Sequence, residues 1–354
     1  MKLLLIFAVV VLLNTVAASP LTRNEELTFF PTSAAIVEKN LWKAPIHHWI
    51  YDFEEASISR KLGTKVIAET LEFAGLSDQD TTSKNFKERI KWFLVDNKGG
   101  KNISVQLSNI PLEESVPLNP SHNNGHANSD IYLPFTKTLH PRDWVKIEVS
   151  GLTPNTRKYY GEVQLIPAYG LSVISDIDDT IKISNVLDKK KLLKNIFVKN
   201  YQATKGMPEL FQKLKAKGAY FHYVSASPWQ LYPSLKAFME KHYPKGTMSL
   251  RYFRLKDKSF FNFFRSSQHY KIKKISAIIK RYPKHRFILI GDSGEHDPEV
   301  YASIYRQFPR NVQAIWIRYV RGSHMSRQRL ATDFKGVPRN IWHVFSPSKT
   351  SRIQ

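Results

Sequence analysis

The sequence predicts an α/β fold with a doubly wound parallel sheet, preceded by a β-rich, sandwich-like N-terminal domain. In the second half, short apolar runs alternate with helical periodicities, which is typical of a parallel sheet with helices on both faces. In the first half, apolar and polar residues alternate with a period of two, as at residues 145–149, which favours half-exposed strands. The prediction divides the mature chain into an N-terminal domain (19–166), a parallel-sheet domain (167–322) and a basic C-terminal tail (323–354), to which we assign no role.

The first half is best described as an immunoglobulin-like sandwich. Residues 89–95 and 103–107 predict a hairpin around the turn residues 96–100. Residues 64–73 fit either a strand or a short helix. Residues 113–130 are rich in Ser, Asn, Pro and His, which predicts a long loop.

Four histidines of this half, His47, His48, His122 and His126, are metal-ligand candidates by residue type. His122 and His126 lie in the predicted loop with the spacing of a metal pair, but no carboxylate or third histidine is near them. A solvated loop is the simpler interpretation, and the same holds for His47 and His48. We predict no chemistry in this half.

The predicted elements of the second half follow one another in strand–helix order, which implies parallel strands. The strands are 171–174, 219–224, 249–254, 287–290 and 312–317, and the helices are 206–217, 228–242, 271–282 and 298–307.

The N-terminus has the pattern of a secretory signal peptide. Met1 and Lys2 precede eleven apolar residues (3–13), and the small residues Ala17 and Ala18 follow. The apolar run is shorter than the roughly 20 residues that a membrane span needs. We expect cleavage after Ala18 and export to a periplasm or the medium, with an uncleaved N-terminal anchor as the alternative.

Cysteine content and charge limit the possible functions. The chain has no cysteine, which excludes a disulfide framework, thiol catalysis and a lipid anchor on cysteine. The net charge of +23 belongs to the second half, because residues 1–170 hold 18 basic and 18 acidic residues whereas residues 171–354 hold 35 and 12. Such a field concentrates anionic substrates or surfaces, without distinguishing phospholipid, nucleic acid and small phosphates.

A cluster of acids follows the first predicted strand of the second half. Asp176, Asp178 and Asp179 come directly after an apolar run, with Thr180 beside them. Ligands of open parallel sheets bind beyond the carboxyl ends of the strands. Three adjacent acids repel one another and need a counter-ion, so we favour a functional site over the alternative of a polar turn with a helix cap.

Three further polar groups follow later elements. Ser225 and Ser227 come after the second strand, and Ser227 is placed to cap a helix that begins at Pro228 and points its N–H groups at an anion. Lys271 lies at the start of a helix and suits a carboxylate or phosphate. Asp292 directly follows another strand.

These residue types fit metal-assisted phosphoryl transfer. Mg²⁺ prefers carboxylate, carbonyl and water oxygens, and Asp176 and Asp292 can share one ion. A carboxylate nucleophile forms an aspartyl-phosphate, and a second carboxylic acid protonates the leaving oxygen. Lys271, Ser225 and a helix end would supply the positioning and neutralisation that the transfer demands.

The motifs resemble those of a known family. Asp176-Ile-Asp-Asp-Thr180 matches the Asp-x-Asp-x-Thr motif of the haloacid dehalogenase (HAD-like) superfamily of phosphatases. The longer strings at 172–182, 221–233 and 287–301 are similar to the actin-patch-protein type of phosphatidate phosphatase. This resemblance covers about residues 160–322.

The resemblance implies a Mg²⁺-dependent hydrolase that converts phosphatidate to diacylglycerol and phosphate. Asp176 would be the nucleophile and Asp178 the acid/base, with Lys271 as a third catalytic group. The metal would be held by Asp176, Asp292 and the backbone carbonyl of Asp178. Substrate contacts and neighbours of the site would include Thr180, Ser225, Ser227, Trp229, Glu295, His296 and Asp297.

The implied partners are phosphatidate and an anionic phospholipid surface. We do not expect nucleic acid as a partner, and the sequence identifies no dedicated protein partner. The fungal members of this family are cytosolic, whereas this chain has an export signal, so their intracellular partners are not carried over.

The spacing of the motifs leaves no room for a large cap domain, so we expect an open site. Residues 256–265 hold four phenylalanines between basic residues, which fits either a membrane contact or a core element. Residues 189–191, three lysines, fit a phosphate-facing patch or a solvated helix face.

Two other functions compete with a lipid phosphatase. One is a phosphatase of the same mechanism that acts on a soluble or polymeric phosphomonoester. The other is a non-catalytic, basic membrane-binding protein, against which the presence of all the motif acids argues.

Overall fold

The computed structural model describes residues 19–38, 41–53, 58–108, 115–134, 139–150, 157–253 and 268–346, with the side chains of 58–61 left out. The predicted signal peptide (1–18) and the phenylalanine-rich segment (256–265) lie outside the described residues.

Nine strands of the first half are connected by hydrogen bonds into one sheet in the described residues. They are β1 (Glu25–Phe30), β2 (Thr32–Glu38), β3 (Leu41–Asp52), β4 (Asp96–Asn97), β5 (Ser104–Leu107), β6 (Val116–Pro117), β7 (His126–Pro134), β8 (Trp144–Val149) and β9 (Tyr160–Ile166).

The long strand β3 joins the parts of this sheet. It pairs antiparallel with β1, β2, β4 and β7, and among the described strands of this sheet only β2 and β9 pair parallel. Trp42 and Ile46 of β3 pack with Val105 of β5 and Val163 of β9 in a core of this half's own. The sequence predicts two separate sheets, whereas β3 links the described strands into one.

Two local predictions for this half are wrong. Residues 89–95 are not a strand of a hairpin but the end of a helix and a 3₁₀ turn, because Ser83 accepts a hydrogen bond from the N–H of Phe86 and caps a helix there. Residues 113–130 are not one loop, since β6 and most of β7 fall within their described part. The polar side chains at Asn128 and Asp130 occupy the outer face of β7.

Helices also belong to the first half. They are α1 (Ile58–Phe73), α2 (Asp78–Thr82) and α3 (Lys84–Ile90). The helical alternative for residues 64–73 is therefore the correct one.

The second half forms a six-stranded sheet in the described residues, in the order β12-β11-β10-β13-β14-β15, and all its pairings are parallel. Its strands are β10 (Gly170–Ser175), β11 (Tyr220–Pro228), β12 (Thr247–Arg251), β13 (His285–Asp292), β14 (Val312–Arg318) and β15 (Trp342–Phe345). The helices are α4 (Lys189–Leu193), α5 (Met207–Ala216), α6 (Tyr232–His242), α7 (Gln268–Arg281), α8 (Asp297–Gln307) and α9 (Arg327–Asp333).

Helices cover both faces of this sheet, which confirms the predicted parallel α/β arrangement. Successive side chains of a strand point to opposite faces. Accordingly Val173 of β10 packs in a cluster with Phe211 of α5 and Leu235 of α6. Its neighbour Ile174 packs in another cluster with Ile275 of α7 and Val300 of α8.

Two observations concern the edges of the parallel-sheet domain. The predicted tail contributes to the sheet, because β15 pairs with β14 and Phe334 packs in the core. The two halves also share apolar core, since Trp49 of β3 and Leu71 of α1 belong to the same cluster as Val173.

Among the described residues, none of the helices has both the length and the apolar character to cross a membrane.

Candidate active site

The site lies at the carboxyl ends of β10, β11 and β13, where the parallel register brings three sequence-distant segments together. The N–H of Asp176 donates to the carbonyl of Ile290 at 2.9 Å, which fixes the end of β10 beside β13. Asp178 follows two residues later and Asp292 ends β13. This is the edge at which open α/β sheets bind their ligands.

Asp176 is buried and ion-paired. Its Oδ1 lies 2.9 Å from Nζ of Lys271 but receives no well-directed hydrogen bond. Its Oδ2 accepts the hydroxyl of Thr180 at 3.0 Å. The same hydroxyl lies 3.4 Å from Oδ2 of Asp292, so Thr180 lies between two carboxylates.

Lys271 projects from the first turns of α7 into the acids. Besides Asp176, its Nζ lies 3.0 Å from Glu295 Oε2 and 2.6 Å from Asp297 Oδ1. Burial lowers the pKa of this lysine, but the surrounding carboxylates of Asp176, Asp297 and Glu295 outweigh burial and hold the pKa well above its usual value. Lys271 is therefore a permanent cation.

Asp297 fixes two parts of the site at once. One carboxylate oxygen takes the lysine ammonium, and the other accepts the backbone N–H of Asp292 at 3.1 Å. A Cβ at Gly291 would lie 2.4 Å from this carboxylate, so the close approach requires glycine. Asp292 Oδ1 in turn accepts the N–H of Gly294 at 2.6 Å.

Asp176, Asp292 and Glu295 form a group that suits a metal ion. Each offers a carboxylate oxygen, and the three oxygens lie within 4.8 Å of one another. Burial raises the pKa of all three acids, and nearby carboxylates, Asp297 in each case, raise it further against the opposing effect of Lys271. Hard oxygen donors with uncompensated charge fit a divalent cation such as Mg²⁺.

Asp178 lies in a separate set of contacts. Its Oδ1 accepts the hydroxyl of Ser184 at 2.7 Å and lies 2.8 Å from Nζ of the buried Lys182. Its Oδ2 accepts the hydroxyls of Ser225 at 3.0 Å and Ser227 at 2.8 Å. Burial alone would raise the pKa of this acid, but Lys182 and the hydroxyls outweigh burial and hold the pKa far below its usual range. Asp178 is therefore a carboxylate.

Asp179 has a structural part rather than a chemical one. Its side chain accepts the backbone N–H groups of Ser184, Asn185 and Val186, at 2.9, 2.9 and 2.6 Å. Its φ of 53° is left-handed, which turns the chain back on itself. The resulting tight turn presents Lys182 and Ser184 to Asp178.

Two sequence predictions about β11 need correction. Ser227 does not cap a helix, because β11 extends to Pro228 and a 3₁₀ turn follows it, and the Ser227 hydroxyl instead donates to Asp178. Trp229 is buried against the first half, with its ring 4.0 Å from that of Phe30 and 4.6 Å from that of His47.

Three histidines of the first half, His47, His48 and His126, also pack against aromatic side chains. His47 Nε2 lies 3.1 Å from His126 Nδ1, and His126 stacks on Trp49. His48 is fully buried in β3. The solvated-loop interpretation is wrong for His47, His48 and His126, because β3 and β7 carry them into the interior.

The cavity beside Asp178, which we call the opening of the site, is smaller than the open site that the sequence predicts. Its volume is about 10 Å³, with room for about one water molecule. Among the described residues no large cap covers the site, but the segment after β10 reaches over it. The cavity is lined by Asp178, Val186, Leu192, Ile196, Ala226, Ser227 and Glu295.

Sequence reasoning named Asp176, Asp178, Thr180, Lys271, Ser225, Ser227 and Asp292, and the fold brings all of them together. Glu295 was named only as a neighbour, yet its carboxylate belongs to the metal-type group with Asp176 and Asp292. Lys182 and Ser184 were missed as partners of Asp178. The position of Lys182 directly after the acid motif was the available signal.

The sequence around the site is similar to known proteins. The family described as "Phosphatidate phosphatase APP1, catalytic domain" matches residues 171–319. The match covers 149 of the 354 residues, so the similarity is one of this segment and not of the whole chain. The segment holds every residue of the site described above.

Two curated relatives extend the comparison. The chain is 38% identical over 157 residues to Phosphatidate phosphatase APP1 of Saccharomyces cerevisiae, covering 43% of this chain and 26% of that protein. It is 28% identical over 246 residues to an uncharacterized protein of Schizosaccharomyces pombe, covering 68% of this chain and 36% of that protein. The matches thus span about a quarter and a third of these relatives.

Solved structures are more distant. A class C acid phosphatase from Bacillus anthracis with tungstate bound matches with a TM-score of 0.29 and 14% identity, covering 50% of this chain and 66% of that chain. At that score the likeness carries no inference about this chain.

Proposed function

We propose that the protein is a Mg²⁺-dependent phosphatidate phosphatase of the haloacid dehalogenase type. The observation that carries the proposal is a pair of buried carboxylates, each with a cation of its own. Asp176 pairs with Lys271 and Asp178 with Lys182. Both lie within the segment that matches the catalytic-domain family. One carboxylate is free of directed hydrogen bonds at Oδ1, and the other is surrounded by hydroxyl donors.

Asp176 is the nucleophile in this proposal. A carboxylate oxygen of Asp176 attacks phosphorus, and the bond from phosphorus to the glycerol oxygen breaks. That oxygen takes the proton that Asp178 accepted in the preceding turnover, and diacylglycerol leaves. Lys271 orients the attacking carboxylate and offsets the charge of the incoming phosphate. The product of this first step is an aspartyl-phosphate.

Asp178 moves the proton. In the second step a water attacks the phosphorus of the aspartyl-phosphate and gives its proton to the Asp178 carboxylate, which frees Asp176 and phosphate. In the next turnover Asp178 gives that proton to the leaving glycerol oxygen. The balance over both steps is water plus phosphatidate to diacylglycerol plus phosphate.

Ser225 and Ser227 supply donors for the phosphate. Their hydroxyls donate to Asp178 at 3.0 and 2.8 Å, and each can rotate toward a phosphoryl oxygen that enters beside it. The transfer of these donors from Asp178 to the substrate would make that carboxylate a better proton acceptor.

The acidic group would hold the metal through Asp176, Asp292 and Glu295. When bound, Mg²⁺ supplies neutralisation of the negative charge shared by the phosphate and the nucleophile. The hydroxyl of Thr180 lies between Asp176 and Asp292 and orients the two carboxylates relative to each other.

The test compares substrates and variants of the purified protein. We expect Mg²⁺-dependent phosphate release from phosphatidate in mixed micelles to exceed that from mononucleotides, phosphopeptides and end-phosphorylated DNA. Asp176→Asn should lose at least about a thousandfold in kcat, as removal of a nucleophile does, whereas Asp130→Asn on β7 should be unaffected. Chelation of the metal should abolish the wild-type rate.

Two results would contradict the proposal. Faster turnover of the soluble phosphomonoesters would favour a phosphatase with the same chemistry on another substrate. Equal activity of wild type and Asp176→Asn on phosphatidate, including none in either, would favour the non-catalytic membrane-binding alternative.

We also propose that residues 1–18 direct export of the protein. The sequence pattern supports this, and N-terminal sequencing of the exported protein should begin at Ser19. An N-terminus at Met1 in a membrane fraction would favour the uncleaved anchor instead.

A further inference from the structure

We propose that the exposed face of α1, together with the adjoining start of α4, is the surface by which the protein docks on an anionic phospholipid bilayer. The inference rests on the proposed function, since phosphatidate resides in such a bilayer. It names the face of the protein that meets the membrane, which the phosphatase chemistry alone does not determine.

The first observation is a stripe of exposed apolar side chains on α1. Leu62, Val66 and Phe73 are 59, 60 and 94% exposed. Their spacing places them on one side of the helix. The opposite side carries Ile67 and Leu71, which are buried in the core. In the described part of the chain the helix therefore has two apolar faces, one buried in the core and one largely exposed.

The stripe has the form of an interfacial surface. Its residues extend over about 16 Å along the helix axis. Among them lie Lys65 and Glu69, an exposed ion pair at 3.9 Å that adds no net charge. Exposed apolar side chains in a row favour burial in a bilayer's headgroup region over water.

The second observation is that the stripe continues to the opening of the site. Gly75, two residues after Phe73, packs on the aliphatic part of Lys190, where a Cβ would lie 3.4 Å from that side chain. Leu187, 45% exposed, lies three residues before Lys190. Its neighbour Val186 lines the cavity beside Asp178.

Contacts between the halves hold this surface together. Lys194 forms an ion pair with Asp80 of α2 at 2.9 Å. Arg89 of α3 donates to the carbonyl of Ile196 at 2.7 Å. Because Ile196 lines the cavity, α1 and the opening of the site are parts of one packed unit. Docking through α1 therefore brings the opening to the membrane surface.

Charge favours an anionic bilayer as the occupant. Lys189, Lys190 and Lys191 are exposed at the start of α4, beside the end of the stripe. Juxtamembrane lysines add attraction to anionic headgroups. The whole net charge of +23 lies in residues 171–354, the part of the chain to which these lysines belong.

The experiment measures vesicle binding without turnover. Full-length protein is sedimented with vesicles of phosphatidylcholine and with vesicles of equimolar phosphatidylcholine and phosphatidylglycerol, a phosphodiester that is not a phosphatase substrate. The test variant is Leu62→Ser/Val66→Ser/Phe73→Ser. The matched control is Val37→Ser/Tyr169→Ser, at exposed apolar residues elsewhere (47 and 68% exposed).

We expect wild type and control to bind the anionic vesicles and the test variant to bind at least about tenfold more weakly. Each apolar side chain withdrawn from water raises the vesicle-binding constant severalfold. Lys190→Glu should weaken binding to the same vesicles. Equal binding of wild type and test variant would overturn the proposal. Failure of wild type to bind either vesicle would overturn it as well.

Phosphate release from soluble p-nitrophenyl phosphate separates this proposal from the proposed function. If the test variant keeps wild-type release but loses vesicle binding, both stand. If wild type binds vesicles through α1 and hydrolyses no phosphomonoester, the surface stands and the phosphatase assignment fails.

Discussion

Lys182 is the buried cation that holds Asp178 in place at the residue scale. Its Nζ lies 2.8 Å from the Asp178 carboxylate and 4.9 Å from the ring centroid of Tyr201. A buried ion pair contributes little net stability, but removal of one partner leaves an uncompensated charge. Stability and chemistry therefore depend on the same contact.

We predict that Lys182→Met lowers the free energy of unfolding by about 3–5 kcal/mol. Adding Asp178→Asn should restore part of the loss, since no unpaired charge then remains. Urea unfolding of the four proteins of this cycle measures the coupling. Lys191→Met, which breaks the exposed pair with Asp188, should cost below about 1 kcal/mol. Additive effects of the two buried changes would contradict the account.

A second residue-scale prediction concerns Asp297, which holds both Lys271 and the N–H of Asp292. Asp297→Asn should raise the Mg²⁺ concentration for half-maximal activity by about 10- to 100-fold, as loss of a partner behind metal ligands does. Glu299→Gln, on the same helix but paired with Arg329, is the matched control. The same Mg²⁺ requirement in both variants would refute the assigned part.

The residues that sequence reasoning found share a position. Asp176 and Asp292 lie at the carboxyl end of a strand and Lys271 lies in the first turn of a helix, and such positions can be recognised from local pattern. Lys182 and Asp297 were missed as partners because their contacts depend on how the chain turns after Asp179 and Gly291. Tertiary geometry, not local periodicity, determines those contacts.

At the scale of elements, α3 couples the first half to the opening of the site. Arg89 donates to the carbonyl of Ile196 and lies 4.0 Å over the ring of Tyr201. Asn85 donates to the carbonyl of Val198 at 2.7 Å. These bonds satisfy carbonyls of the π-helical turn Lys194–Val198, which the helix geometry leaves without full partners.

We therefore predict that Arg89→Leu loosens the segment 189–198 and costs about 1.5–3 kcal/mol, the range for a hydrogen bond from a charged group. Amide hydrogen exchange should accelerate there while β10 and β13 stay protected. Lys91→Leu, which removes an exposed pair with Glu88, provides the control. Unchanged exchange at 189–198 in Arg89→Leu would show that α3 does not hold the opening.

Element prediction succeeded where the pattern had one meaning. The parallel strands β10, β11, β13 and β14 are apolar runs bounded by turn signals, and they were found. Residues 89–95 have an apolar run of similar length but continue a helix capped at Ser83, since short apolar runs fit either structure.

At the scale of the whole molecule, the two halves share one apolar cluster and a set of buried histidines. Burial lowers the pKa of His48 to about 4 and that of His126 to about 3. It also lowers the pKa of His222 of β11 to about 3. Such contacts between distant segments leave no local signal, so the sequence divided the chain into two domains and gave no sign of the shared core.

These histidines make stability depend on pH. Their folded-state pKa values lie below the unfolded value of about 6.5, so the unfolded chain binds more protons at acid pH. Their contribution is complete above about pH 6.5 and is lost as pH falls toward the folded values, at up to about 1.4 kcal/mol per pH unit for each group.

Denaturant unfolding at several pH values below about 6.5 checks this in Mg²⁺-free buffer. The raised pKa values of Asp176 and Asp292 act in the opposite direction, so the slope is compared between variants. His126→Asn should flatten the loss of stability with falling pH, whereas His343→Asn, at an exposed side chain, should not. Parallel slopes in wild type and His126→Asn would contradict the prediction.

The most direct test of the central claim is to trap the phosphoryl group on the enzyme. Wild-type protein turning over phosphatidate with Mg²⁺ is quenched in acid within the first turnovers, digested and mapped by mass spectrometry. The account predicts an acid-stable, hydroxylamine-sensitive phosphate on Asp176 that is absent in Asp176→Asn. Turnover of phosphatidate with the phosphate on another residue, or with none trapped on the enzyme, would contradict it.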